Sequence, residues 1–143
     1  MTDLEAILSG YFAGGTVPSK LYIGLVKASS FVAFDPVNDE MSSHPGWSEF
    51  TDYDETDRQE WIPGVVVGDT LAQTNNPTPA TITPNVNDTV NAIFLCDDPT
   101  KGGSSGQLYG PWYFEEGIRD TFSASPFRIE LTIFLRSNTP TVS

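Results

Sequence analysis

Between residues 41 and 61 the chain reads MSSHPGWSEFTDYDETDRQEW, which holds its only histidine, His44, two of its three tryptophans and six carboxylates. A calcium loop of the EF-hand kind would use Asp52, Asp54 and Asp57. However, such a loop needs glycine at its sixth place, where Asp57 stands, and glutamate at its twelfth, where none stands. Zinc needs four nitrogen or sulfur donors, and His44 and Cys96 are the only soft ligands in the chain. A glycosidase needs two carboxylates at a set separation, with Trp47 and Trp61 available as cleft walls. Six acids within twelve residues read instead as a solvated loop. A serine triad needs a histidine base, but His44 precedes Pro45 in the turn-like SSHPGW and no GxSxG elbow occurs. Cys96 lies in the apolar run AIFLC with no base nearby, so it reads as a small hydrophobe. In DDPTKGGSSGQL, Lys101 precedes the glycines, whereas a phosphate loop places its lysine after them. No enzyme, cofactor or metal is expected. The reading left for His44, Trp47, Phe50, Tyr53, Arg58 and Trp61 is that they organise a loop, Arg58 by pairing with a neighbouring carboxylate.

The rest of the chain must supply the frame for that loop. At 143 residues it is expected to form one domain, 1–143, large enough for a core without disulfides or metals. A hydrophobic share of 38%, with 12% aromatic, separates it from disordered chains, while 11 prolines and 12 glycines demand many turns. No run nears the roughly 20 apolar residues that span a bilayer, and MTDLEAILSGYF lacks the basic start of a signal peptide, so neither membrane nor export is expected. The net charge of −12 argues against nucleic acid as a partner. It favours partners met through apolar or hydrogen-bonding contacts, or through a basic patch of their own.

Thr2 and Glu5 have the spacing of a capping box, and Leu4, Ile7, Leu8, Tyr11 and Phe12 recur on one helical face, which predicts an amphipathic helix over 2–13, stopped by Gly14 and Gly15. KLYIGLVKAS predicts the first strand. Residues 29–60 show no period and are expected to be an irregular excursion. Strands are expected again in WIPGVVVGDTLAQT, PATITPNV, TVNAIFLCDD and QLYGPWYFEEG, and in SPFRIELTIFLRS, where Phe127, Ile129, Leu131, Ile133 and Leu135 alternate. The fold class expected is mainly β: a single antiparallel sandwich or barrel-like domain over 21–135, with a short N-terminal helix, long loops and a flexible tail at 136–143. Trp112, Tyr113 and Phe114 are consecutive, so at least one ring should face outward. Those three rings and the apolar helix face are the candidate partner contacts, the helix face having the alternative role of covering one end of the sandwich.

Two blocks carry a resemblance. The first is Ser42, Ser43, His44, Gly46, Trp47, Glu49, Phe50, Tyr53, Arg58 and Trp61; the second is Phe94, Leu95, Lys101, Gly102, Gly103, Gly106 and Leu108. Their order and spacing, within about residues 21 to 134, resemble a family of small virion proteins of tailed bacteriophages and related prophages. The resemblance implies a capsid decoration (cement) protein, made in the host bacterial cytoplasm and bound to the outer surface of the virion. Its implied partner is the major capsid protein, with self-association as well, trimers being a common arrangement. The rival readings are a tail or fibre component and a carbohydrate-binding sandwich that uses exposed Trp and Tyr rings.

Overall fold

The computed structural model describes residues 13–15, 17–65, 72–75 and 78–134. The expected helix with Leu4, Ile7, Leu8, Tyr11 and Phe12, the residue Leu135 and the tail 136–143 lie outside the described residues. The described part is mainly β and antiparallel throughout, as the sequence predicts.

The frame is a central pair, β1 (Leu21–Lys27) and β6 (Asp88–Cys96), the two longest strands. Both are nearly continuous apolar runs, LYIGLVK and DTVNAIFLC, the signature of strands covered on both faces. On the outer side of β1, β2 (Glu49–Phe50) and β3 (Gln59–Trp61) pair one after the other. Along β6, β7 (Leu108–Tyr113) and β8 (Arg119–Thr121) do the same. Alternation then sends Ile23, Leu25, Val90, Ile93 and Leu95 to one face, and Val26, Ala92, Phe94 and Cys96 to the other. Between Val26 and Lys27 the register shifts and leaves Asn91 as an extra residue of β6, a bulge in the ladder.

The first face is covered by a second layer of two short ladders: β5 (Ala80–Ile82) with β9 (Phe127–Ile129), and β4 (Ala72–Thr74) with β10 (Thr132–Phe134). The sequence predicts one continuous final strand from Phe127, but the structure interrupts it between β9 and β10. At the break the fully buried Asn75 substitutes its side chain for a ladder rung, accepting from the Leu131 N–H (2.8 Å) and donating to the Ile129 carbonyl (3.0 Å). Trp61 ties the layers together by donating from Nε1 to the Leu131 carbonyl at 3.2 Å. The stretch after Trp61 also differs from the expected strand: residues 62–65 are not in a strand, and Val65 is exposed.

The opposite face is covered by the excursion. Met41 and Trp47 are buried there against Val26, Phe94 and Leu108, with Phe31 and Phe34 packed around them. Two glycines allow the close approach this needs. A Cβ on Gly24 would run into the ring of its cross-strand partner Phe94, and one on Gly46 into the Ala33 carbonyl. The Gly46 carbonyl in turn accepts from the Val32 and Ala33 N–H groups at 2.8 and 3.2 Å.

Candidate functional site

The excursion is held by three polar anchors. The first is Arg58, whose side chain is wholly buried beside a nearly buried Glu49. Nε and Nη2 donate to the two Glu49 oxygens at 2.9 and 2.8 Å, a bidentate pair. The same guanidinium donates to the carbonyls of Asp98 (2.9 Å) and Gly103 (3.0 Å), while the Gly102 N–H donates to Glu49 (3.0 Å). Three of these five polar bonds join the excursion to the 97–107 turn, and the other two tie Arg58 to Glu49 within it. Burial works against the guanidinium charge, but the Glu49 hydrogen bonds and charge outweigh it and raise the Arg58 pKa.

The second anchor is Lys101, whose ammonium donates to the carbonyls of Tyr53 and Glu55, both at 2.7 Å, and sits 4.4 Å from the Tyr53 ring centre. Burial, reinforced by the nearby Glu49 charge, keeps the Tyr53 phenol protonated well above its ordinary range. Glu55 accepts from the Thr83 N–H (2.9 Å) and hydroxyl (3.1 Å). Its partial burial raises its pKa, yet those bonds and the Lys101 charge win and leave it lowered.

His44 and Trp47 form the third. Their rings stack at 3.8 Å, and His44 Nδ1 lies 2.8 Å from the Trp47 carbonyl. A carbonyl only accepts, so Nδ1 carries the proton and, in the neutral ring, Nε2 is left as an acceptor. Trp47 Nε1 donates to Asp39 at 2.9 Å. Beside His44 lies an open cleft of about 640 Å³, edged by the hydroxyls of Ser42, Ser43, Thr51 and Ser104. Among the described residues none of these hydroxyls bonds to His44; Ser42 donates to Glu40 instead, at 3.5 Å. The cleft thus offers hydrogen-bonding edges without a nucleophile joined to its base.

Among the described residues no three of His, Cys, Asp and Glu converge as a metal site requires. Cys96 is fully buried, and that burial raises its thiol pKa although the Asp98 N–H donates to Sγ at 3.4 Å.

Of the six loop residues singled out in the sequence, Trp47, Phe50, Tyr53, Arg58 and Trp61 are buried and His44 is half-buried. They do not share one site: Phe50, Tyr53 and Trp61 join the core between the layers, while Trp47 lies on the other face. The three consecutive rings also separate. Trp112 and Phe114 pack against the first core, and Tyr113 is 61% exposed on the other side, against Phe31 and Phe34. The partner of Arg58, the anchoring role of Lys101, and the Phe31–Phe34–Tyr113 group were not read from sequence. Glu49 and Lys101 belong to the two blocks quoted above, whereas Phe31 and Phe34 lie where no period exists. The sequence matches no protein-family model and no curated protein.

Proposed function

We propose that this is a non-enzymatic structural protein of a tailed bacteriophage virion: a decoration (cement) protein that binds the outer surface of the major capsid protein shell and stabilises it. The observation that carries the reading is where the chemically capable side chains are spent. Arg58, Glu49, Lys101 and Trp47, all from the two resembling blocks, hold loops onto the sheet through bonds inside the molecule. What remains outside is a strongly acidic surface with a few apolar side chains, suited to binding another protein and unsuited to the DNA-facing side of a shell. A carbohydrate module has less support, because Trp47 and Trp61 are 3% and 6% exposed and cannot serve as stacking platforms, which leaves Tyr113 as the one largely exposed Trp or Tyr ring among the described residues. Self-association, with trimers as one arrangement, and assembly onto the virion after synthesis in the host cytoplasm belong to this reading.

Cement works by binding the assembled state alone, so it raises shell stability in step with occupancy. The test is co-sedimentation with shells of the phage's own capsid protein, with shell melting followed in parallel. Saturable binding that raises the melting temperature is expected, at a copy number comparable to the capsid protein. Binding to purified tails in a few copies, with none to shells, would replace this reading by a tail component.

A further inference from the structure

The aromatic group beneath the excursion reaches the surface. Phe31 and Phe34 lie edge to face at 4.8 Å, and Tyr113 of β7 closes the group at 5.9 and 4.9 Å from them. Phe34 in turn meets the buried Trp47 at 6.2 Å, so the patch is the outer end of a core cluster. On top, Val32 is 79% and Tyr113 61% exposed.

The loop that follows Phe34 carries two acids, Asp35 and Asp39. Asp35 accepts from the Val37 and Asn38 N–H groups and from the Asn38 amide, and Asp39 accepts from the Asp35 N–H and from Trp47. These bonds keep the loop in one shape, and those from Asn38 hold Asp35 below the usual carboxylate range. No lysine or arginine pairs with either acid among the described residues. The described cations are engaged elsewhere: Lys20, Lys27, Arg58, Arg119 and Arg128 with other carboxylates, and Lys101 with carbonyls. Among the described residues no cation is left to neutralise Asp35 and Asp39, so both are open to a partner's lysine or arginine.

We infer that the Phe31–Val32–Phe34–Tyr113 patch is a docking surface for a protein that presents an apolar side chain flanked by lysine or arginine. Under the decoration reading, on which the identity of the partner rests, that protein is the major capsid protein. An aromatic centre with a charged margin is the anatomy of a specific interface. A second copy of this chain fits less well: an isologous contact would set Asp35 and Asp39 of both copies against each other, and a heterologous one, as in a trimer, would need a lysine or arginine, and those described are already engaged. The preformed loop lowers the ordering cost of binding.

The test compares wild type with Val32→Glu/Tyr113→Ser, both exposed positions, and with Thr81→Glu, an exposed control on the other layer. An unchanged urea midpoint verifies that each variant is folded. On shells of the phage's capsid protein, the double variant should bind about tenfold more weakly or worse, and Thr81→Glu like wild type. Asp35→Asn, which keeps the turn's acceptor, should lessen the salt dependence of binding. If wild type binds shells and the double variant binds equally well, the patch is overturned and the decoration reading stands. If wild type binds only purified tails, the decoration reading fails; loss of tail binding by the double variant then supports the patch, and its retention overturns it. Wild type that binds neither particle overturns both.

Discussion

Replacing Arg58 by methionine tests whether the excursion is held mainly by its buried ion pair. The substitution keeps an apolar stem of similar reach but removes the two bonds to Glu49 and those to the Asp98 and Gly103 carbonyls. Glu49, whose side chain is 6% exposed, would keep only the Gly102 N–H as partner and become a nearly buried, unpaired charge. Breaking a buried pair in this way costs about 3–5 kcal/mol. Against a total of about 5–15 kcal/mol for a domain, that is a large share. With a urea m-value of about 2 kcal/mol/M, the midpoint should fall by about 1.5–2.5 M. Glu49→Gln on top of Arg58→Met removes the stranded charge yet leaves an acceptor for Gly102, so the double variant should be more stable than Arg58→Met by about 1–3 kcal/mol. The readout is urea unfolding followed by tryptophan fluorescence and by circular dichroism. A midpoint shift under about 0.5 M, or a double variant no more stable than the single one, would refute the reasoning.

Three further outcomes are expected. Gly24→Ala should destabilise by about 1–3 kcal/mol through the clash with the Phe94 ring, and Phe94→Leu in that background should restore part of the loss; a silent Gly24→Ala in thermal unfolding would contradict the packing described. Cys96 should react with a disulfide reagent only as fast as the protein opens, because the thiol is buried and its pKa raised, so labelling within the mixing time under native conditions would count against its placement. Asp35, Glu55 and Asp98 all have lowered pKa values in the folded state. Their stabilisation is complete above the ordinary carboxylate pKa of about 4 and is lost as pH falls through the lowered values, so the urea midpoint should drop on acidification below about pH 5. Glu55→Gln should make that drop shallower, and an unchanged slope would remove Glu55 from the account.

The central strands were legible because β1 and β6 are long apolar runs, and their alternation sorts Ile23 and Leu25 from Val26, and Ile93 and Leu95 from Phe94. The short strands were not. β2 has two residues and β3 three, too few to show a period, so the excursion read as wholly irregular although two short pieces of its second half pair with β1. The break between β9 and β10 is made by Asn75, far away in sequence, and the alternation of Ile129, Leu131 and Ile133 gives no sign of it. Pairing of Arg58 with some carboxylate was expected, but choosing Glu49 from the acids around it requires knowing that β2 and the 97–107 turn meet. The Phe31–Phe34–Tyr113 group depends on another long-range meeting, that of the excursion with β7.

The order in which contacts can form follows from the central pair. β1 joins β6 with Tyr22 opposite Cys96, farther apart in sequence than the 70 residues spanned by the Trp61–Leu131 bond. The chain must therefore close a long loop before its main ladder exists, and closure entropy places such topologies among the slower folders, in the range of milliseconds to seconds. Met41 and Trp47 have no sheet face to rest on until β1 and β6 have met. Until then the nascent chain leaves one edge of each of two apolar strands unpaired, a feature prone to intermolecular pairing, and its net charge of −12 opposes that pairing while the sheet assembles.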